Sequence, residues 1–314
     1  MASSRKTPRH GLGVVTVTFN AADFIRPFLD CCLAQTCSDF ELLVIDNAST
    51  DSTLEVLSAA ADSRISVIRN EKNIGYAAAC NQGIRHFLAR GVTDILLINN
   101  DTEFGPELFE ALHSARENHR ADAVTPRIVY ADDPAVNWYA GGRFTFWKGF
   151  QGEHLGVGQR HDAADVEPRW TPVAPGGCVL FASSTFERIG LFDENCFVYF
   201  EDTDYFLRMR RAGLHLLYTP GISIAHKISL STGGPQSHFL VRHQQRNQMY
   251  VLRKHFGWAT VASQIVPIVL KATFRLLARR DTMRQYVLRL ASLAEGLGMP
   301  VRGASCIGRR KATD

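Results

Sequence analysis

Residues 94–102 read DILLINNDT, in which four apolar residues run directly into four polar ones. A short apolar run bounded by polar residues is typical of a buried strand. Asp101 therefore follows the end of a strand, with the amides of Asn99 and Asn100 just before it. The stretch predicts a carboxylate at the mouth of a sheet.

Outward from this stretch, strand patterns alternate with helical patterns. They are GVVTVTF at 13–19, a helical pattern at 22–34, ELLVID at 41–46 and a helical pattern at 76–89. Such alternation implies βαβ units and a largely parallel sheet. Asn20, Asp46 and Asn47 follow the other strands, and each alone is an ordinary turn residue. Polar residues at three strand ends favour one binding cleft at the carboxyl edge of the sheet.

Asp101 and His226 both stand at predicted strand ends, where they suit a metal site. Mg²⁺ and Mn²⁺ usually take one or two protein carboxylates, and substrate phosphates complete the shell. A metal held there would favour the departure of a diphosphate. For His226 a hydrogen-bonded structural histidine is the alternative, and the residues alone leave the two open.

Three acids, Glu201, Asp202 and Asp204, directly follow the aromatic run FVYF at 197–200, which we predict to be a strand. If a helix follows, Asp202 and Asp204 point in different directions and have different roles. Close like charges and apolar surroundings raise the pKa of a carboxyl, which suits a general base towards an alcohol. The alternative is a set of acids that complements a helix dipole, with Asp204 paired to Arg208 at i, i+4.

Several nucleotide-binding and hydrolytic motifs are missing from the sequence. It has neither a P-loop nor a Gly-x-Gly-x-x-Gly after the first strand, which weighs against kinases and dehydrogenases. It also lacks the His-Glu-x-x-His of zinc proteases and the Gly-x-Ser-x-Gly of α/β-hydrolases. A nucleotide-diphosphate site built from carboxylates and a metal remains.

Several stretches, in this order, resemble the family 2 glycosyltransferases. They are VVTVTFN (14–20), VIDNASTD (44–51), NIGYAAACNQGI (73–84), LLINNDT (96–102), PGGCVLFASSTFERIGLFDE (175–194), YFEDTDYFLRMRRAG (199–213) and the strand ending at His226. The resemblance is strongest to bacterial rhamnosyltransferase-like enzymes of cell-surface polysaccharide synthesis. It implies an inverting enzyme with the α/β GT-A fold: a Rossmann-like, mostly parallel sheet flanked by helices, here with a C-terminal helical extension.

The resemblance also implies roles for the matching positions. The donor nucleotide would be bound by Val17, Thr18, Phe19, Asp46, Asn47, Asn73, Asn99 and Asn100. Among these, Asp46 would accept from an N–H of the base. Asn99 stands where the family has the first Asp of its Asp-x-Asp, which leaves Asp101 as the metal carboxylate. His226 would complete the shell of a divalent Mg²⁺ or Mn²⁺.

For catalysis, the resemblance implies that Asp202 is the base. Gly177, Glu201 and Asp204 would support it or face the acceptor. The favoured donor is dTDP-rhamnose, followed by UDP- or GDP-sugars, and the acceptor is a saccharide or a lipid-linked saccharide. A nucleotide-sugar-binding or nucleotidyltransferase-like protein is the alternative. Nucleotidyltransferases usually have a Gly-rich basic loop after the first strand, where this chain has TFNAA at 18–22.

The net charge of +4 is the sum of two unlike parts. Residues 236–314 hold 14 Lys/Arg and 3 Asp/Glu, whereas residues 1–235 hold 21 Lys/Arg and 28 Asp/Glu. We therefore expect a catalytic domain at 13–235 and a basic helical extension at 236–314. The catalytic domain would comprise a donor half, about 13–130, and an acceptor half, about 131–235. Residues 1–12 are expected to be a flexible N-terminus.

The basic extension has helical patterns at 238–255 and about 260–295. Charges interrupt its apolar stretch, so no membrane span is predicted, and Pro267 is expected to kink or interrupt the helix. It could lie in a membrane interface or pack on the catalytic domain or on a second copy in a homo-oligomer, and these stay open. Basic residues are the only support for nucleic-acid binding, so no nucleic-acid partner is expected.

The N-terminus has no apolar run behind its basic residues, so no signal peptide is predicted. The seven cysteines lack zinc-site spacing and favour a reducing compartment. We expect a cytoplasmic protein, with peripheral contact at the inner face of the membrane as one option. An apolar fraction of 46% and a charged fraction of 21% indicate a globular chain.

Overall fold

The computed structural model describes residues 11–146, 149–227 and 237–301. Its strands are β1 (Leu12–Thr18), β2 (Phe40–Asp46), β3 (Ile65–Arg69), β4 (Asp94–Ile98), β5 (Thr102–Phe104), β6 (Ala123–Tyr130), β7 (Asn137–Tyr139), β8 (Gly142–Thr145), β9 (Gln151–His154), β10 (Arg169–Thr171), β11 (Cys178–Ala182) and β12 (Leu216–His226). Its helices are α1 (Ala22–Leu33), α2 (Thr53–Ala59), α3 (Tyr76–Arg90), α4 (Leu108–His119), α5 (Ser183–Ile189), α6 (Glu201–Arg211), α7 (His238–His255), α8 (Trp258–Leu277) and α9 (Met283–Gly298). Residues 1–10 of the expected flexible N-terminus 1–12, and Cys306 with the rest of 302–314, lie outside the described residues, whereas Leu12 is already buried at the start of β1.

The central sheet is mostly parallel, as the alternation of patterns predicts. Its order is β10-β12-β6-β11-β4-β1-β2-β3, with β5 added to β12 and β7 to β6. The strands β3, β2, β1 and β4 run parallel, and β11 is antiparallel to both β4 and β6. Helix α3 packs on this sheet, where the ring of its Phe87 lies so close to Gly13 that a side chain there would collide with it. The apolar residues of β1, β2 and β4 form one continuous core with this helix.

Strand β12 brings a distant part of the chain to the carboxyl edge of the sheet. It runs parallel to β6 and antiparallel to β5, so that His226 lies opposite both Tyr130 and Thr102. The backbone N–H of Lys227 then donates to the carbonyl of Asp101 at 3.0 Å. This register places the end of β12 beside Asp101, in the segment that follows β4.

The strands and helices predicted at 13–19, 22–34, 41–46 and 76–89 are confirmed to within a few residues as β1, α1, β2 and α3, and the strand predicted within 94–102 is β4. The run at 197–200 is not a strand: it consists of bends, and Tyr199 and Phe200 have left-handed backbones with φ of 67° and 69°. The predicted strand that ends at His226 is β12, which begins at Leu216. Its register shifts between Thr219 and Ser223, so the pattern appears broken there.

The C-terminal extension is helical, but its boundaries differ from the prediction at 260–295. The chain turns between α8 and α9, where the buried carboxylate of Asp281 pairs with Arg275 and Arg289 at 2.7 and 2.8 Å. Pro267 does not interrupt α8, which runs through it from Trp258 to Leu277. Of the described helices, α8 alone is long and apolar enough to cross a membrane by length and composition, and only 17% of its most apolar window is buried.

Candidate active site

A cavity of about 870 Å³ opens at the carboxyl edge of the central sheet. Its wall is formed by the ends of β1, β4 and β12, the β8–β9 hairpin, the start of α6 and the start of α7. Of the residues predicted for the site, those that line the cavity are Val17, Thr18, Phe19, Asn47, Asn73, Asn99, Asn100, Asp101, Gly177, Glu201, Asp202 and His226. Residues that are far apart in the sequence therefore meet in one space, and its floor lies at the strand ends where a mostly parallel sheet predicts a site.

Asp101 and His226 are in direct contact at the cavity wall. The Nε2 of His226 lies 3.1 Å from Oδ1 of Asp101, and both side chains are nearly buried. This contact lacks hydrogen-bond geometry, and neither Asp101 Oδ1 nor His226 Nδ1 has a hydrogen-bond partner in the described part of the chain. The ring of Trp138 packs edge-on against that of His226 at 5.0 Å between centroids.

This pair fits a divalent metal. Two ligands at about 2.1 Å from one ion and near a right angle lie about 3 Å apart, which matches the observed contact. One carboxylate with one imidazole leaves room for diphosphate oxygens in the shell of Mg²⁺ or Mn²⁺. The residues present are therefore suited to hold such an ion, in agreement with the sequence expectation.

A second group of ligand-type side chains lies elsewhere. Oxygen and nitrogen atoms of Asp94, His113 and Glu117 come within 4.8 Å of one another. Asp94 begins β4, at the edge of the sheet opposite the cavity, and it pairs with Arg116 at 2.6 Å and with His113 at 2.7 Å. The arginine charge already balances this carboxylate, so the group is an ion-pair cluster.

The amides that precede Asp101 shape the floor of the cavity. Asn100 Nδ2 donates to the carbonyl of Val17 at 3.1 Å and so joins the ends of β4 and β1. Asn99 Oδ1 accepts from the hydroxyl of Tyr76 at 3.1 Å, while its backbone N–H donates to the carbonyl of Gly177. Both amides are thus held by neighbouring elements.

The predicted nucleoside side of the cavity is held by amides on neighbouring loops. Asn47 Nδ2 donates to the carbonyl of Gly75 at 3.3 Å, and Asn73 Oδ1 accepts from the Gly75 N–H at 2.9 Å. Gly75 itself has φ of 89° and lies against Phe197, where any side chain would collide with backbone. Phe19 leaves 43% of its surface exposed at the cavity mouth, which suits stacking on a planar ring.

Asp46 has a different place from the one predicted. Its carboxylate is fully buried and does not line the cavity. It accepts from the hydroxyl of Ser49 at 2.5 Å and from the Ser49 N–H at 3.1 Å. In this structure Asp46 therefore holds the loop that follows β2, and direct contact with a base would require that loop to rearrange.

Glu201 and Asp202 form the first turn of α6 and face the cavity. Burial raises the pKa of Asp202, although the backbone N–H groups of Thr203 and Gly176 oppose this by donating to its carboxylate. Burial, followed by the negative charge of Asp202, raises the pKa of Glu201 well above its ordinary value. A carboxyl group whose pKa is raised in this way is a stronger proton acceptor, once ionised, than an exposed one.

Asp204 points away from the cavity into the protein interior. It pairs with Arg208 at 2.9 Å, which confirms the predicted i, i+4 contact, and with Lys254 and His255 of α7, both at 2.7 Å. Burial opposes its ionisation, but the hydrogen bond from His255 and the charges of Arg208 and Lys254 hold the pKa of Asp204 well below its usual range. Asp204 is therefore a structural anion, and Asp202 and Asp204 do point in different directions.

Several cavity residues do not follow from the motifs. Tyr76 lies inside the quoted stretch 73–84 but resembles an ordinary core residue, although its hydroxyl joins Asn99 to the carbonyl of Gly176 at 3.0 Å. Trp138 and His154 come from a region with weak secondary-structure patterns. Phe239 and Gln244 belong to α7, inside the extension for which packing on the catalytic domain was one of the open alternatives. The periodicity of α7 predicts a helix but does not indicate which surface it covers.

Known proteins resemble the chain in sequence. One relative is the N-acetylglucosaminyl-diphospho-decaprenol L-rhamnosyltransferase of Mycobacterium tuberculosis, which is 28% identical over 79% of this chain and 86% of its own length. Another is the dTDP-rhamnosyl transferase RfbF of Shigella flexneri, 24% identical over 86% of this chain and 89% of its own.

Solved structures share the fold at low sequence identity. GalNAc-T7, solved with UDP, GalNAc and Mn²⁺, matches with a TM-score of 0.64 and 17% identity over 90% of this chain and 54% of its own. A mannosyltransferase from Pyrobaculum calidifontis, solved with GDP-Man and Mn²⁺, matches with a TM-score of 0.55 and 17% identity over 92% of this chain and 86% of its own. The fold is therefore that of the GT-A glycosyltransferases.

The sequence profile of glycosyl transferase family 2 matches residues 13–190, which span β1 to α5 and include every strand end on the donor side except that of β12. More than half of the chain is matched, and the rhamnosyltransferase relatives extend the similarity towards the C-terminus. The chain belongs to glycosyl transferase family 2.

Proposed function

We propose that this protein is a metal-dependent inverting glycosyltransferase that transfers rhamnose from dTDP-rhamnose to a hydroxyl of a lipid-linked saccharide. The observation that carries the proposal is the meeting of Asp202, Asp101 and His226 in one cavity whose other side is lined by the loops after β1 and β2. A general base, a pair of metal ligands and a nucleotide-binding surface are the three parts that a single displacement reaction needs.

In this proposal Asp202 acts as the general base. The acceptor hydroxyl loses its proton to the carboxylate as its oxygen forms a bond to the anomeric carbon. The bond from that carbon to the diphosphate breaks on the opposite face, so the anomeric configuration inverts. The pKa of Asp202, raised by burial, makes it a stronger base than an exposed aspartate. Glu201 is buried beside it, and the negative charge of Asp202 contributes to the raised pKa of Glu201.

Asp101 and His226 would hold Mg²⁺ or Mn²⁺ against the diphosphate. A bound divalent ion supplies charge that stabilises the leaving nucleoside diphosphate. Trp138 limits the orientations of the His226 ring, and the Lys227 N–H fixes the backbone of Asp101. Gly177 and Asn99 form the floor below the sugar, where their backbone hydrogen bond of 2.9 Å holds β11 close to the end of β4.

The identity of donor and acceptor rests on relatives and is the finer part of the proposal. Two curated relatives are a rhamnosyltransferase acting on N-acetylglucosaminyl-diphospho-decaprenol and a dTDP-rhamnosyl transferase. Their similarity supports rhamnose ahead of the sugars of UDP and GDP donors. A lipid-linked acceptor would also give the basic extension at 236–314 a reason to lie near a membrane.

The product released from a nucleotide sugar tests the proposal. Purified protein would be mixed with dTDP-rhamnose, UDP-sugars or GDP-sugars, each with Mn²⁺ and a saccharide acceptor. We expect nucleoside diphosphate as the product, highest with dTDP-rhamnose, whereas pyrophosphate would indicate the nucleotidyltransferase alternative. EDTA should stop the reaction and added Mn²⁺ or Mg²⁺ should restore it. Full activity in EDTA, or in Asp101→Asn, would contradict the metal site.

We further propose that the extension docks on the surface of an anionic bilayer. Exposed apolar side chains repeat along α8 at near four-residue spacing, at Trp258, Val266, Leu270, Phe274 and Leu277. Exposed cationic side chains accompany them at Lys271, Arg279, Arg280 and Arg284. A second copy of the chain would bring like charges together, whereas anionic lipid complements both the apolar and the cationic residues.

Flotation with vesicles tests this docking surface. We expect the protein to float with vesicles that contain phosphatidylglycerol and less with pure phosphatidylcholine, and Leu270→Glu with Phe274→Glu should abolish flotation. The matched control is Val67→Glu, which changes an exposed apolar residue of β3 far along the chain. Unchanged flotation of the double variant, or concentration-dependent dimers lost only in that variant, would contradict the bilayer proposal.

A further inference from the structure

We infer that helix α7 positions the catalytic turn, and that one stripe of α7 holds the loop 193–200 in the shape that presents Asp202 to the cavity. The stripe consists of His243, Asn247, Tyr250 and Lys254, which repeat at four- and three-residue spacing and so share one helix face. The inference rests on the proposed role of Asp202 and assigns a new role to residues outside the part of the chain matched by the family profile.

The loop ends in a backbone conformation that needs external support. Tyr199 and Phe200 are consecutive non-glycine residues with left-handed φ of 67° and 69°. Phe200 is also the N-cap of α6, and its side chain makes no capping hydrogen bond. Left-handed residues of this kind are costly and persist only where neighbouring groups determine them. The direction in which α6 starts, and with it the place of Asp202, depends on these two residues.

Asn247 supplies that support at the strained point. It is fully buried, and its Nδ2 donates to the carbonyls of both Val198 and Tyr199 at 2.8 Å. Arg246 Nε donates to Asn247 Oδ1 at 2.8 Å, so the amide is oriented with its nitrogen towards the loop. One side chain therefore satisfies the two carbonyls that lead into the left-handed pair.

The rest of the stripe holds the loop on either side of this point. The ring of His243 stacks on that of Phe197 at 5.2 Å, and the carbonyl of Phe197 accepts from the Tyr76 N–H at 2.7 Å. The hydroxyl of Tyr250 donates to Asp193 at 2.7 Å and accepts from Asn195 at 3.0 Å.

Lys254 joins the start of the loop to the helix that follows it. Its Nζ lies 2.6 Å from Oδ2 of Asp193 and 2.7 Å from Oδ1 of Asp204. Asp193 begins the loop and Asp204 follows the catalytic turn, so one nearly buried cation fixes both ends. Together the four side chains contact the loop at its beginning, middle and end.

The test compares two substitutions in α7 that differ in which surface they disturb. Asn247→Ala removes the support of the loop, whereas Leu252→Ala removes a buried side chain that packs with Val261 and Leu293 in the separate C-terminal cluster. Both lower the stability of α7, and rates would be measured well below both unfolding midpoints. For Asn247→Ala we expect kcat to fall about tenfold to a hundredfold, because small misplacements of a catalytic group cost that much. KM for the donor should stay within about twofold, since the donor contacts other elements.

Hydrogen exchange gives a readout that does not depend on activity. Amides of residues 199–206 should exchange faster in Asn247→Ala than in the wild type, and at wild-type rates in Leu252→Ala. The inference is overturned if Asn247→Ala keeps kcat and exchange at wild-type values, or if Leu252→Ala changes both as much. If the wild-type protein transferred no sugar, the proposed function would be wrong. The hydrogen-exchange measurement would still decide whether α7 holds the loop.

Discussion

The two sides of the first turn of α6 each carry an aspartate, and the pKa values of these two aspartates are shifted in opposite directions. On the cavity side, burial raises the pKa of Asp202, and its carboxylate accepts hydrogen bonds from uncharged groups of Thr203 and Gly176. On the inner side, two residues later, Asp204 is fully buried yet ionised, because Arg208, Lys254 and His255 surround it. Both acids are buried, so the difference comes from the cationic side chains beside each one. Their presence makes Asp204 a structural anion, and their absence leaves Asp202 as a proton acceptor.

The largest expected effect comes from neutralising the cavity side. Asp202→Asn keeps the shape of the side chain but removes the base, and general-base catalysis contributes about 10²- to 10⁴-fold. We expect kcat to fall by that factor while the Kd for the donor, measured by calorimetry, stays within a few-fold. Turnover close to that of the wild type would show that Asp202 is not the general base. The functional difference proposed between Asp202 and Asp204 would then be wrong.

The same change on the inner side should affect folding first. Asp204→Asn leaves Arg208 and Lys254 beside a neutral amide, and breaking a buried ion pair costs about 3–5 kcal/mol. We expect a loss of that order in the free energy of unfolding from denaturant titration at pH 7. If Asp204→Asn were as stable as Asp202→Asn, the two sides would not differ in the way described.

The difference in free energy of unfolding between the wild type and Asp204→Asn should decrease as the pH falls. The folded-state pKa of Asp204 lies below its unfolded value of about 3.9, so the stabilisation is complete above that value. It is lost as the pH falls through the acid range towards the folded-state pKa. The gap between wild type and Asp204→Asn should therefore be widest near neutrality and narrow steadily below about pH 4.

The contrast between the two acids was partly predictable from the sequence. The carboxyl edge of the sheet follows from strand patterns, because parallel strands bring Asn99, Asp101 and His226 to one edge wherever the loops run. The i, i+4 spacing of Asp204 and Arg208 likewise gives their pairing. These features depend on local periodicity and on the rules of sheet topology, both of which a single sequence contains.

The support of the catalytic turn could not be predicted in the same way. The left-handed backbone at Tyr199 and Phe200 has no sequence signal, since neither residue is glycine or asparagine and an aromatic run favours a strand. Its cause lies about fifty residues further on, in Asn247, whose partners only the folded chain shows. Asp46 is similar, because its contact with Ser49 turns it inward from a position that the motif places at the nucleoside.

The pH dependence of catalysis should show the raised pKa on the cavity side. Asp202 must be ionised to accept a proton, so kcat should rise about tenfold per pH unit below its pKa and level off above it. Because burial raises that pKa, the midpoint should lie above the value of about 3.9 for an exposed aspartate. The measurement is kcat at saturating donor and acceptor from pH 4.5 to 8.5, with donor affinity followed in parallel. A flat profile over this range would mean that no acid with a raised pKa limits the reaction.

The smallest effect concerns Glu201, whose Oε2 is buried without a hydrogen-bond partner in the described part of the chain. Its folded-state pKa lies above the unfolded value, so the wild type loses stability as the pH rises from about 4.3 through the folded-state pKa. Glu201→Gln removes a charge that the fold disfavours and should raise the free energy of unfolding at pH 8, by about 1.4 kcal/mol for each unit of raised pKa, but not at pH 4. Asp204→Asn is the control with the opposite sign. If Glu201→Gln were less stable than the wild type at pH 8, the negative charge of Glu201 would be needed for folding. The cavity side of the turn would then resemble the Asp204 side in stability and differ from it only in function.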